Sequence, residues 1–304
     1  MISIIIATYN RKDHLSNSIE SILSQTYKDF EIIIVDDGST DGTEELVRKN
    51  FKDSRIRYIK LSENKGATFA RNTGLGEVRG EYFMVWDSDD VLYPNALEVI
   101  INIFNRNHNL AVVSSPARSL LRGKEIGYNK VAEGVIPKDI IICRLLPSNH
   151  KIRVARTSLC GEVRYKARNV DFLVNVEMAQ CGKWYSFPEY LGDVILESNQ
   201  NSLTLNRRKT NLDLAILRAP YLADYLIKYA DILKTNCPEK YAGFSYGAAI
   251  GFFANGNKEK TRYYVKEALK IHPKIRYILL YLLNFVPLGL FLFKGAVKIK
   301  NIIF

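Results

Sequence analysis

Two stretches decide the reading: ISIIIATYNRKDHLSNSIESILSQTYKDFEIIIVDDGSTDGT, residues 2–43, and ENKGATFARNTGLGEVRGEYFMVWDSDD, residues 63–90. In both, a short apolar run ends abruptly in a polar cluster, and a helix-patterned segment lies beside it. Short runs dominated by Ile and Val, too short for a helix, read as strands buried on both faces, which is how parallel sheets are built. Ile2–Ala7, Glu31–Val35, Ile56–Lys60, Tyr82–Trp86 and Ala111–Ser115 are the expected strands. Helices are expected over Asp13–Gln25, Thr40–Asn50, Gly66–Val78 and Pro94–Asn105, with Leu15, Ile19, Ile22 and Leu23 on one face of the first. This alternation predicts an α/β fold: a Rossmann-like, mostly parallel sheet flanked by helices.

Further along, Arg118–Tyr128 reads as a hairpin about Gly123, Asn169–Gln180 as a helix stopped by Gly182, and Lys183–Phe187 and Leu191–Glu197 as strands. Beyond residue 210 the pattern is helical throughout. The expected division is a catalytic domain over 1–208, with halves 1–115 and 116–208, then a helical region over 209–304. Arg207-Arg208-Lys209 reads as a solvated linker. Within the helical region Ala249, Phe252, Gly256, Ala268, Leu269 and Pro273 fit one tetratricopeptide-like hairpin, and a plain hairpin fits as well. A single such pair needs a neighbour to bury its faces, either the catalytic domain or the helices around Leu212–Leu233.

Of 304 residues 47% are hydrophobic, which excludes a disordered chain. The net charge is +11, and residues 258–304 carry ten Lys/Arg against two acids, leaving only +3 for the rest. That basic tail is interleaved with an uncharged run from Tyr277 to Phe293, a pattern suited to an anionic membrane surface and not to nucleic acid. Asn284 and Pro287 interrupt the run, and Lys294, Lys298 and Lys300 follow it. A segment lying in the cytoplasmic leaflet is expected over 275–304; a buried helix and a spanning one are the rivals. Ile2–Ala7 is too short for a signal-peptide core and lacks a basic lead. The four cysteines (Cys143, Cys160, Cys181, Cys237) form no close pair, so neither a disulfide framework nor a cysteine zinc site is expected, and a reducing, cytoplasmic setting fits.

In an open parallel sheet, ligands bind beyond the carboxyl ends of the strands. Three polar clusters fall there: Thr8-Tyr9-Asn10-Arg11, Asp36-Asp37-Gly38-Ser39 and Asp87-Ser88-Asp89-Asp90. Any one of them could be helix capping, but their convergence on one rim is harder to assign to turns alone. Three carboxylates in four residues repel one another without a positive partner. Hard divalent cations are commonly held by one or two carboxylates together with substrate phosphates, so Mn²⁺ or Mg²⁺ beside a diphosphate is the expected occupant. No GxGxxG or P-loop pattern follows the first strand, which disfavours dinucleotide dehydrogenases and P-loop ATPases.

The elements TYNR, SILSQTY, VDDGSTDGT, ARNTG and DSDD, in that order, closely resemble family 2 glycosyltransferases of the GT-A fold over about residues 1–115, and loosely to about 205. The resemblance implies an inverting sugar transferase that uses a nucleotide sugar, usually a UDP-sugar, and acts on a saccharide or lipid-linked acceptor in bacterial-type polysaccharide or glycolipid synthesis. Carried over residue by residue, it implies that Thr8, Tyr9 and Arg11 line the nucleotide pocket and that Asp36, with Asp37 beside it, contacts the uracil or ribose. Lys65 and Arg71 approach the sugar or diphosphate. Asp87, with Ser88, serves the ribose or sugar side, and Asp89 holds the metal with Asp90 in support. The family's acid pair matches only in part, at Val170-Asp171, which makes Asp171 the expected base with Glu162 and Glu177 in reserve. Asn201, in the segment Ser198–Thr204, stands where family members often have a His. Two other readings stay open: a non-catalytic glycosyltransferase-like scaffold, and a nucleotidyltransferase, although Ala7-Thr8-Tyr9-Asn10 lacks the Gly-rich basic loop that the latter would keep.

Overall fold

The computed structural model describes residues 1–121, 123–126, 132–143, 151–166, 172–196 and 211–285. Asp171, Arg168–Val170, Ser198–Thr204, the Arg207–Lys209 linker and the tail beyond Phe285 lie outside the described residues. The chain divides into two compact units. Among the described residues, the first takes 1–141, 151–166 and 172–196, and the second takes 142–143 and 211–285.

The first unit opens with β1 (Ile2–Thr8), α1 (Lys12–Leu23), β2 (Phe30–Asp36), α2 (Thr43–Asn50), β3 (Ile56–Lys60), α3 (Ala67–Gly76) and β4 (Tyr82–Asp87). There follow β5 (Val91–Leu92), α4 (Ala96–Arg106), β6 (Leu110–Ser115), β7 (Arg118–Leu121), β8 (Lys124–Glu125), β9 (Gly134–Ile136), α5 (Lys138–Ile142), β10 (Ile152–Arg156), α6 (Thr157–Cys160), α7 (Phe172–Cys181), β11 (Lys183–Ser186) and β12 (Gly192–Leu196). Among the described residues the main sheet has eight strands in the order β3-β2-β1-β4-β10-β6-β11-β9. β3, β2, β1 and β4 run parallel. β10 runs antiparallel between β4 and β6 and makes the sheet a mixed one. Five residues of modest alternation, IRVAR, gave no strand signal strong enough to read. A small second sheet, β5-β12-β7-β8, includes the expected hairpin at Gly123.

β1 shows why the centre of the sheet is stable. Ile2, Ile4 and Ile6 face the side covered by α1 and α4, Ile5 faces the side of α3, and all four are fully buried. Each such side chain contributes roughly 1.5–3 kcal/mol over its exposed state. On the α3 side the helix comes so close that a methyl group at Gly74 would sit 2.3 Å from Ile5 Cγ2. Gly38, at φ +78, lets the loop after β2 pack on the backbone of Glu63 and Asn64, where a side chain would meet atoms at 2.8 Å. The parallel register then sets Thr8 level with Asp36 and Ala7 level with Asp87, so the three polar clusters share one rim.

The second unit holds α8 (Asn211–Lys228), α9 (Ala230–Asn236), α10 (Pro238–Ala254), α11 (Lys258–Ile271) and α12 (Ile275–Leu283). α10 and α11 form the expected hairpin, turning at Gly256 with φ +77, and Ala249, Phe252 and Ala268 are buried in it. The neighbour is α8, which packs so closely on α10 that a Cβ at Gly251 would meet Ala215 O at 2.1 Å and Ala219 Cβ at 2.6 Å. Tyr277 of α12 packs its ring on Tyr246, with centroids 4.5 Å apart.

One expectation is corrected here. Cys143 and Cys237 form a disulfide, with Cα atoms 5.9 Å apart, across 94 residues of sequence. Sequence spacing showed no pair because the two meet only through folding, where Cys237 precedes α10 and Cys143 follows α5. The case for a reducing compartment, drawn from an absence of pairs, loses its ground.

Candidate active site at the sheet rim

At the end of β1, Thr8 is buried, and its Oγ1 has no hydrogen-bond partner among the described residues. Its carbonyl accepts from Asp37 N at 2.9 Å. Tyr9 follows with its ring exposed. Asn10 then adopts a left-handed φ of +50, donates its N–H to Ser39 Oγ at 2.9 Å and accepts from Thr40 N at 2.8 Å. Short polar Asn tolerates that conformation, and the two bonds brace the first cluster against the second.

In the second cluster Asp36 is fully buried. Its Oδ1 accepts from Ser39 N at 2.9 Å, and its Oδ2 accepts from the Tyr58 hydroxyl. Burial, followed by that bond, raises the Tyr58 pKa well above the ordinary phenol value and keeps the hydroxyl a donor. Asp37 accepts from Lys65 N and Gly66 N, each at 2.8 Å, and so fastens the loop before α3 to the end of β2. The Lys65 ammonium lies over the Phe69 ring at 5.1 Å.

The third cluster is organised differently. Asp87 Oδ1 accepts from Arg71 Nη2 at 2.8 Å, and Asp89 Oδ2 accepts from Arg11 Nη1 at 3.3 Å. Arg71 lies over the Tyr165 ring at 5.2 Å and is only 16% exposed, so it is no solvated helix-surface cation. Desolvation pushes the Asp87 pKa up, but the charges of Arg71, Lys151 and Arg153 and the Arg71 hydrogen bond outweigh it and hold the group below the ordinary carboxylate value. Asp90 turns inward, where its Oδ1 accepts from Ile195 N at 3.0 Å and ties β12 to the rim. Burial, then the charges of Asp87 and Asp89, drive its pKa well above normal. Ser88 is buried beside these acids.

The geometry also sorts the acceptor-side residues. Glu162 lines a cavity with Leu75, Val78, Phe83 and Thr157, near the start of β4. Glu177 is paired with Lys166 at 3.3 Å. Asn72 is structural in a specific way: its side chain donates to Tyr165 O and accepts from Tyr165 N, both at 2.9 Å. It thereby anchors the segment that leads toward residues 167–171. Sequence reasoning also missed Tyr58, Lys151 and Arg153, and a cluster in the second sheet in which Arg118 grips Asp193 with two bonds of 2.9 and 2.8 Å while Tyr93 donates at 2.7 Å. Alternation within Ile56–Lys60 was the only signal for Tyr58, and the strand that bears Arg153 and follows Lys151 had not been read.

Among the described residues, no group of three or more His, Cys, Asp or Glu side chains forms a cage for a metal ion. Asp89 and Asp87 offer hard oxygen donors, which suits Mg²⁺ or Mn²⁺ only if substrate oxygens complete the coordination. The donor set therefore fits a cation shared with a diphosphate and does not fit a structural metal.

Comparison with known proteins places this rim in a family. The model for "Glycosyl transferase family 2" matches residues 3–155. An uncharacterized glycosyltransferase of Rickettsia bellii is 37% identical over 145 residues, 47% of this chain, and the match spans only 21% of the relative's length. The Escherichia coli protein named UDP-Glc:alpha-D-GlcNAc-diphosphoundecaprenol beta-1,3-glucosyltransferase WfaP is 53% identical over 90 residues, 30% of this chain and 36% of that protein. Among solved structures, S. aureus TarS 1-349 in complex with UDP-GlcNAc aligns with a TM-score of 0.63 at 16% identity, covering 98% of this chain and 88% of that one, a likeness of GT-A fold. With the motifs on one rim and the family model spanning half of its length, the chain belongs to glycosyl transferase family 2.

Proposed function

We propose that the chain is an inverting, metal-dependent glycosyltransferase that moves a sugar from a UDP-sugar to a saccharide or lipid-linked acceptor. One observation carries this reading. The two rim carboxylates of the third cluster, Asp87 and Asp89, are each answered by a guanidinium, of Arg71 and Arg11, at the carboxyl end of β4. Arg71, Arg11 and Asp89 are largely shielded from solvent, and both pairs can exchange partners when a diphosphate and a cation enter. WfaP, by its name, uses UDP-Glc and a lipid diphosphate, which supports the same substrate classes here.

Asp89, with Asp87 beside it, would hold Mn²⁺ or Mg²⁺, and such an ion, when bound, neutralises charge gathering on the leaving diphosphate. Arg11 and Arg71, released from their carboxylates, face the same phosphates. Tyr9 presents an exposed ring to the base, and the unpartnered Thr8 Oγ1 offers a buried donor at the nucleotide end. Inversion needs a carboxylate to take the proton of the attacking hydroxyl, typically contributing about 10²–10⁴-fold. Asp171 is assigned that role by its place in the sequence, and Asn72 holds the segment leading to it. The test is transfer or hydrolysis across a panel of nucleotide sugars with Mn²⁺, with Asp89→Ala and Asp171→Asn as controls. Binding of UDP without turnover of any sugar would instead favour the non-catalytic scaffold.

Membrane attachment belongs to the same reading. α12 turns Tyr277 and Leu280 inward, while Ile275, Ile278, Leu279, Leu282 and, just beyond it, Phe285 are exposed along one stripe. Arg262 lies over the Phe285 ring at 4.5 Å and Lys266 lies 6.0 Å from the Tyr281 ring, so basic groups flank the apolar face. That pairing suits a helix lying in the plane of an anionic membrane surface. Among the described residues, no helix is long and apolar enough to cross a membrane. Sedimentation with anionic but not zwitterionic vesicles, lost when 275–304 are removed, is the expected result.

A further inference from the structure

α1 runs out into SILSQTY, residues 21–27, and three polar side chains on this helix and its end are buried: Ser18, Ser21 and Gln25. Spacing of three and then four residues puts them on one face. Leu15, Ile19 and Ile22 already supply the apolar contact with the sheet, so core packing alone calls for no hydroxyl or amide beside them. Burying such groups is costly unless each is hydrogen-bonded.

Their bonds go to one segment. Ser18 Oγ donates to Asp87 O at 3.4 Å, and Ser21 Oγ accepts from Leu92 N at 3.2 Å. The Gln25 amide donates to Tyr93 O at 2.7 Å and accepts from Leu97 N at 3.1 Å. Leu97 lies in the first turn of α4, whose N-cap residue Asn95 makes no side-chain cap bond among the described residues, so Gln25 satisfies an N–H that the helix itself cannot. Behind them Ser21 Oγ donates to Ser18 O at 2.8 Å and Gln25 Nε2 to Ser21 O at 3.0 Å, which orients both side chains. All four partners in the segment are main-chain atoms, and they bracket Asp87–Asp90 on both sides. At the other end of the helix its N-cap residue, Arg11, holds Asp89 Oδ2. α1 thus braces the backbone that carries the rim acids.

We propose that Ser21 and Gln25 are positioning residues for the acidic loop: by pinning Leu92 N, Tyr93 O and Leu97 N they set where Asp87 and Asp89 present their oxygens to a divalent cation. The assignment rests on the metal-dependent transfer reading above. A small hard cation tolerates little error in its oxygen ligands, and groups that orient such ligands are typically worth about 10–100-fold in metal affinity. Support one step further back falls at the low end. Gln25→Met, which keeps the length of the side chain and removes its bonds, is expected to weaken Mn²⁺ binding about tenfold, and Ser21→Ala about threefold. Thr26→Val is the control, since the exposed Thr26 hydroxyl reaches the exposed Glu98 Oε2 at 2.7 Å.

The measurement is the dissociation constant of Mn²⁺, followed by electron spin resonance of the free ion, on the full chain with saturating UDP and well below the melting temperature of each variant. A tenfold rise for Gln25→Met, with Thr26→Val at the wild-type value, supports the assignment. A Gln25→Met protein that melts lower yet binds Mn²⁺ as tightly as wild type would make these bonds purely structural and overturn it. So would a loss as large in Thr26→Val, or a wild type that takes up no Mn²⁺ beside UDP. Ser21→Ala, which deletes a single hydroxyl, keeps the test valid should Gln25→Met fold poorly. Weaker Mn²⁺ binding by the variants, in a protein whose wild type transfers no sugar, would sink the transferase reading and leave the positioning role standing. An active wild type with variants unchanged in Mn²⁺ affinity does the reverse.

Discussion

The carboxylates at the end of β2 and those at the end of β4 lie on the same rim but are held by different kinds of partner. Asp36 and Asp37 accept from Ser39 N, the Tyr58 hydroxyl, Lys65 N and Gly66 N. Asp87 and Asp89 accept from the side-chain guanidinium groups of Arg71 and Arg11. The first set is bound to groups that cannot leave without unfolding a loop, whereas the second is bound to groups that can turn to another anion. Sequence proximity does not distinguish architecture from chemistry; the partner does.

Asp89→Ala breaks the comparison most sharply. Transfer should fall about 10³-fold, roughly 4 kcal/mol of transition-state stabilisation, while the melting temperature stays within about 2 °C of wild type. Asp37→Ala should do the reverse in kind: two backbone N–H groups lose their acceptor, costing about 2–4 kcal/mol of stability in urea denaturation. If Asp89→Ala unfolded the chain, or Asp37→Ala left the urea midpoint unchanged, the division between the two ends would be wrong.

Arg71 comes next. It is stacked on Tyr165 and paired with Asp87, so Arg71→Ala should lower kcat/KM for the nucleotide sugar roughly 10–100-fold. Arg71→Lys should recover little, because a point charge cannot both stack and fork. Steady-state kinetics on the two variants checks this, and full rescue by lysine would reduce Arg71 to a simple positive charge.

Asp90 tests the boundary within the third cluster itself. It sits among rim acids yet behaves like those of β2, accepting from Ile195 N. Asp90→Ala should cost about 1–3 kcal/mol by leaving that N–H unpaired, and Asp90→Asn, which keeps an acceptor, should melt close to wild type. Equal losses in both variants would mean that the charge, not the acceptor, matters.

How much of this was legible follows from range. β1 to β4 were readable because short Ile- and Val-rich runs such as Ile2–Ala7, polar only at Ser3, suit a buried strand, and the order of the motifs carried the family. The partners that give each acid its role were not readable. Tyr58 is 22 residues from Asp36 and Tyr165 is 93 from Asn72, and only the sheet register brings them together. β10 was missed for the same reason that its cations were: a reversed strand reveals itself through its neighbours. The 94-residue separation of Cys143 and Cys237 hid the disulfide in the same way.

Glu267 in the helical unit carries the comparison to a carboxylate with cations but no rim. It accepts from Lys270 at 2.7 Å and from Tyr241 at 2.9 Å, and it pairs with Lys234 at 2.9 Å. Burial acts to raise its pKa, but these three partners prevail and lower it from 4.5 to about 2. The unfolded chain therefore binds this proton more readily than the folded one. The stabilisation is complete above the unfolded value and drains away as pH falls from about 4.5 toward 2. Lys270 and Lys234 are 71% and 41% exposed, so water screens the pairs and the contribution is about 1–2 kcal/mol. Glu267→Gln should thus lower the urea midpoint at pH 7, and its gap to wild type should close as the solution approaches pH 2. A gap that stays constant across that range would mean that packing, not charge, holds Glu267 in place, and an acid ringed by cations would then not be a sufficient sign of electrostatic stabilisation in either unit.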